Sequence, residues 1–102
     1  MCDADMRTKD EIIRILRRER SKLREKFFVK TIGLFGSYAR GEQTEKSDID
    51  LLVEFEKPVD FFTLFELEEH LSKLLGVKVE IVTPNAIKEE IKPYIMRDVI
   101  YV

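Results

Sequence analysis

Apolar residues at Ile12, Ile13, Leu16, Leu23 and Phe27 fall on one face of a 3.6-residue turn, which predicts a helix from Lys9 to Lys26 behind a flexible tail of residues 1–8. The period then shortens. Val29 to Phe35 reads as a first strand, Ser37 to Arg40 as a short helix stopped at Gly41, and Glu42 to Lys46 as a polar loop. Asp48 to Phe55 is a second strand, with Ile49, Leu51, Val53 and Phe55 turned inward and Asp48 and Asp50 sharing the other face. Pro58 breaks the pattern, and Asp60 is placed to cap a helix from Phe61 to Leu75 that ends at Gly76. Its stripe is Phe61, Leu64, Phe65, Leu67, Leu71, Leu74 and Leu75, with Phe62 falling outside it. Val77 to Val82 alternates as a third strand that frees Glu80 from the core, and after the turn Thr83-Pro84-Asn85 a last helix is expected from about Ala86, bending around Pro93. Strands alternating with helices predict a small two-layer α/β fold, with residues 1–102 forming one domain.

Composition narrows the classes. No apolar run reaches membrane-spanning length and no stretch resembles a signal peptide, so a cytoplasmic protein is expected. Cys2 has no partner for a disulfide and no metal-ligand spacing, and His70, the single histidine, lies inside the long helix, which argues against a histidine-based hydrolase. Charged residues make up 37% while amides are limited to Gln43 and Asn85, a bias of heat-adapted proteins. The net charge of −2 hides an uneven distribution, because residues 7–30 carry ten Lys/Arg against four acids. The basic side of the first helix (Arg14, Arg17, Arg18, Arg20, Lys22, Arg24) reads first as a solvated face. A surface for an acidic partner or for nucleic acid is the alternative, not favoured because no aromatic residues are interleaved to stack on bases.

The chemistry concentrates in Gly33-Leu34-Phe35-Gly36-Ser37-Tyr38-Ala39-Arg40-Gly41 and Ser47-Asp48-Ile49-Asp50. Gly36 lets the backbone approach a phosphate, and Ser37 opens a helix turn with unpaired N–H groups. Ten residues later, Asp48 and Asp50 supply hard anionic oxygens for a divalent metal. Singly, each piece is commonplace; their order and spacing are not. There is no Gly-x-x-x-x-Gly-Lys-Ser/Thr loop and no Gly-x-Gly-x-x-Gly.

Gly36-Ser37, a ten-residue spacer and Asp48-Ile49-Asp50 resemble the signature of the minimal nucleotidyltransferase (MNT) domains of the DNA polymerase β superfamily. The resemblance takes in Ala39-Arg40-Gly41, Ser47 and the strand Val77 to Thr83, and covers most of the chain from Val29 to Thr83. It implies a palm-like domain with a small mixed sheet and helices mainly on one face. It also implies a site for two Mg²⁺ ions on Asp48, Asp50 and Glu80, with Glu80 standing where the family usually has aspartate, and nucleotide contacts from Gly36, Ser37, Arg40 and Ser47. Arg40 has two readings: support of charge developing on the phosphates, or a scaffold pair with Asp50 or Glu42. The implied reaction moves AMP from ATP to an acceptor hydroxyl. The chain resembles the antitoxin of HEPN/MNT pairs, which implies a HEPN-domain partner and a tyrosine acceptor. The alternative is a non-catalytic subunit of the same fold that neutralises or positions a partner protein.

Overall fold

Thr8 starts the first helix by a reciprocal cap: its Oγ1 accepts from the Glu11 N–H at 3.2 Å and its own N–H donates to Glu11 Oε1 at 3.0 Å. The structure, a computed structural model, describes residues 8–102, so Cys2, Asp3, Asp5 and all of the expected tail except Thr8 lie outside it. Helix α1 (Lys9–Phe27) buries Ile12, Leu16, Leu23 and Phe27, as the periodicity requires. Phe28 then ends it in the left-handed region, φ 61°, an uncommon place for a side chain with a Cβ. Its N–H bonds the Arg24 carbonyl and its ring lies 3.9 Å beneath the Lys57 ammonium, so the reversal into the sheet takes a single residue.

The elements that follow are β1 (Val29–Phe35), α2 (Ser37–Arg40), β2 (Ile49–Phe55), α3 (Phe61–Leu75), β3 (Val79–Val82), a 3₁₀ turn (Pro84–Ala86), α4 (Lys92–Asp98) and β4 (Ile100–Tyr101). They form a mixed sheet of order β3-β2-β1-β4, in which β2 and β3 are parallel and the other two pairings antiparallel. Side chains of α1 and α3 pack on one face against Ile32, Leu34, Ile49, Leu51 and Val53. Asp50 and Leu52 alternate with these and belong to the opposite face. There Leu52 is buried opposite Gly33, over which Val99 and Tyr101 lie so close that a Cβ would overlap Val99.

Three expectations need correction. The last helix does not run from Ala86 or bend at Pro93. Pro93 sits in the first turn of α4, where its missing N–H costs nothing, and Val99 turns extended so that Ile100 and Tyr101 add an edge strand to β1. The second strand begins at Ile49 rather than Asp48, and the third at Val79 rather than Val77. The predicted core stripe of α3 is buried only at Leu67, Leu71 and Leu75, while Phe61 and Phe65 are 86% and 60% exposed beside Phe62 at 81%. Periodicity marks a helix face, but burial needs a surface opposite it, and none covers the first turns of α3 among the described residues.

The cap of α3 is testable. Asp60 Oδ1 accepts from the Thr63 N–H at 2.9 Å, and this bond holds the carboxyl below the usual carboxylate range. A folded-state pKa below the unfolded one stabilises the fold above the unfolded value, and that stabilisation is lost as pH falls through the folded value. Asp60→Ala should therefore lower the melting temperature at pH 7, and thermal melts should show the gap to wild type closing at strongly acid pH. A gap independent of pH would mean that the cap works without its charge.

Candidate active site

Phe35, Asp50 and Glu80 stand in one row across β1, β2 and β3, each the Cα partner of the next. Asp48 lies just before β2, where the Ile49 N–H bonds the Lys78 carbonyl at 2.9 Å and ties the entry of one strand to that of its parallel neighbour. Asp50 and Glu80 thus lie side by side on the face not covered by α1 and α3, and Asp48 precedes them at the same end of the sheet. Asp48 and Asp50 are half-buried, while Glu80 is exposed, as its place in the alternation predicts.

Asp50 carries the strain of this arrangement. Burial, then the charges of Glu80 and Asp48, push its carboxyl above the usual carboxylate range, and Arg40 only partly opposes them. Beneath the cluster, Tyr38 is raised as well, by burial and by the Asp48 charge. Gly36 leads from β1 into α2 with φ 80°, and a Cβ there would overlap Asp50 Oδ2. Glycine is required twice at this position, for its backbone angle and for the space that the carboxylate occupies. The Gly36 turn and the Asp50 carboxylate are therefore immediate neighbours.

Arg40 resolves toward the scaffold reading in part. Its Nε bonds Glu42 Oε1 at 2.9 Å and its Nη1 bonds Asp98 Oδ2 at 3.2 Å, while Asp50 feels it only through space. Asp98 escaped sequence reasoning because α4 returns to the site only through the unforeseen strand β4. Ser47 is occupied locally: its Oγ accepts from the Thr44 N–H at 2.9 Å and its N–H bonds the Thr44 carbonyl, closing the loop that delivers Asp48. Ser37 lies half-buried at the start of α2, and its carbonyl accepts from the Glu42 N–H.

The donors suit a hard divalent cation. All are carboxylate oxygens, and the mutual repulsion at Asp50 is what a bound cation relieves. Among the described residues no three His, Cys, Asp or Glu side chains stand close enough together to hold a metal ion, so Glu80 is not a ready third ligand beside Asp48 and Asp50. A cation held by two carboxylates would take the rest of its shell from water or from a bound ligand.

Similarity to known proteins agrees with this geometry. The family model for the nucleotidyltransferase domain matches residues 11–102. The Methanocaldococcus jannaschii protein MJ0128, provisionally called a protein adenylyltransferase, is 56% identical over 98 residues, spanning 95% of this chain and 100% of the relative. The protein adenylyltransferase MntA of Thermococcus cleftensis is 45% identical over 97 residues, spanning 95% and 98%. A solved structure provisionally called a minimal nucleotidyltransferase superposes with a TM-score of 0.78 at 31% identity, over 95% of this chain and 98% of that one. A toxin–antitoxin crystal structure with AMP-PNP gives a TM-score of 0.66 at 26% identity, over 91% and 70%.

Two measurements probe the site without any acceptor. Asp50→Asn should raise the melting temperature at pH 7, because a carboxyl held above its unfolded pKa destabilises the fold wherever it is ionised. The gain should fade as pH falls through the raised folded-state value and be gone below about 4, where the wild-type group is protonated in both states. A melting temperature lowered by Asp50→Asn at neutral pH would contradict the repulsion. Gly36→Ala should abolish binding of an ATP analogue by displacing Asp50, whereas Ser37→Ala, losing one hydrogen bond to a phosphate, should weaken it by about 1 kcal/mol. Equal tolerance of both changes in a titration would show the turn to be purely structural.

Proposed function

The chain belongs to the nucleotidyltransferase domain family, and from that membership we propose that it is a protein adenylyltransferase that moves AMP from ATP to a tyrosine hydroxyl of a HEPN-domain toxin. One observation carries the reading to this chain's own residues: Gly36 in contact with Asp50, and Asp50 in register with Glu80. A phosphate-binding turn set against a row of acids is an arrangement for nucleotide chemistry. MntA, the Thermococcus relative, bears the name of that activity at 45% identity, and the AMP-PNP complex links the same fold to a nucleotide and to a toxin–antitoxin assembly.

In this mechanism Asp48 and Asp50 would hold Mg²⁺, and Glu80 would complete the acidic set. A cation held there would supply neutralisation of the charge that develops in an in-line displacement at phosphorus. The backbone of Gly36 and the Ser37 hydroxyl hold the terminal phosphates and orient the leaving pyrophosphate. The acceptor oxygen bonds to the α-phosphorus, the bond to pyrophosphate breaks, and the hydroxyl proton passes to Glu80. Arg40, anchored by Glu42 and Asp98, keeps α2 in place and adds positive potential near Asp50. Ser47 acts at one remove, by fixing the loop that presents Asp48.

A protein acceptor is supported by the surface. Phe61, Phe62 and Phe65 form an exposed aromatic patch on α3, and soluble chains rarely leave such residues contiguous unless a partner covers them. We place the reaction in the cytoplasm, with residues 1–102 acting as one domain; no helix among the described residues is long and apolar enough to cross a membrane.

Incubation of the chain with the product of its neighbouring gene, ATP and Mg²⁺ should add AMP to that partner, read by intact mass. Asp48→Asn should abolish the addition while leaving the fold intact. Glu80→Asp, which restores the family's usual acid, should preserve or increase it. A stable pair that gains no mass under any nucleotide or metal would favour the non-catalytic subunit, and labelling of a small molecule or an RNA end instead would remove the antitoxin role but not the transfer.

A further inference from the structure

β3 is an outer strand, and Glu80 is its single acid. In a parallel pairing alternate residues address the neighbouring strand, so Glu80 turns its peptide toward β2 while Val79 and Ile81 turn theirs to the open edge. Both outward N–H groups are taken by side chains of α3. Val79 N donates to Ser72 Oγ at 2.9 Å and Ile81 N donates to Glu68 Oε2 at 3.0 Å, in part-buried surroundings. The match is geometric: residues four apart on a helix rise about 6 Å, and residues two apart on a strand about 6.6 Å. One helix face therefore grips both peptides that bracket Glu80.

Water would satisfy an N–H at an open edge. Two side chains from a helix that is itself fixed by Leu67, Leu71 and Leu75 do more, because they set the height of β3 against the core and so the height of Glu80 opposite Asp50. We propose that Glu68 and Ser72 are positioning residues for Glu80. The inference rests on the part given to Glu80 above, and its test is separable from the identity of the acceptor.

The test reads Mn²⁺ binding in the presence of AMP-PNP, together with hydrogen exchange of the Ile81 amide. Glu68→Ala should weaken Mn²⁺ binding about tenfold, the scale of losing an outer support of a metal ligand, and should accelerate Ile81 exchange. Glu68→Gln retains an oxygen acceptor and should leave both near wild type; Ser72→Ala should act like a milder Glu68→Ala. In a Glu80→Gln background, Glu68→Ala should weaken Mn²⁺ by less than about twofold more, since coupled residues are non-additive. Equal losses in the two backgrounds, or Glu68→Gln as harmful as Glu68→Ala, would overturn the proposal. If no partner gains AMP but the cycle is non-additive, the adenylyltransferase reading fails while the positioning role stands.

Discussion

The register of β2 between its two neighbours is the constraint on which the site depends. Because side chains alternate along a strand, a slip of one residue would send Asp50 into the α1/α3 core and expose Ile49 and Leu51. Burial of Ile49, Leu51 and Val53 makes that slip prohibitive, since each side chain contributes roughly 1.5–3 kcal/mol by leaving water. The apolar side of one strand thereby locates the acids on its other side. Function and stability are written into the same seven residues.

That security is set against a local cost. Asp50 is partly buried among like charges, and Gly36 gives up a side chain so that the carboxylate has room. Neither choice helps the fold by itself. Both fit the proposed nucleotide chemistry, in which a cation and phosphates would complete the geometry.

Much of this was legible in the sequence. β1, α2 and α3 fall where alternation, the two glycine stops and the Asp60 cap place them, and the Gly36-Ser37 to Asp48-x-Asp50 spacing picks out residues of which the fold sets Gly36 beside Asp50. What stayed hidden depends on long-range packing. Val99 to Val102 are β-branched or aromatic and short, so only pairing with Gly33 and Leu34 reveals them as a strand. Asp98 could not be matched to Arg40 without that return, and the bare first turns of α3 carry the same periodicity as its buried ones. Glu68 and Ser72 look like ordinary polar helix positions until their backbone partners on β3 are seen.

The β1–β4 pairing also orders events in time. It joins Gly33 and Leu34 to Tyr101 and Ile100, with the Val102 N–H closing on the Ile32 carbonyl, across about two thirds of the sequence. Contacts so distant in sequence close late, because the loop between them must first be organised. Until they close, Gly33 stays uncovered and Arg40 lacks Asp98. A chain that has paired β1, β2 and β3 but not β4 therefore holds Asp50 beside Glu80 before its α2 turn is latched, and the slowest contact of the fold is the one that completes the surroundings of Arg40.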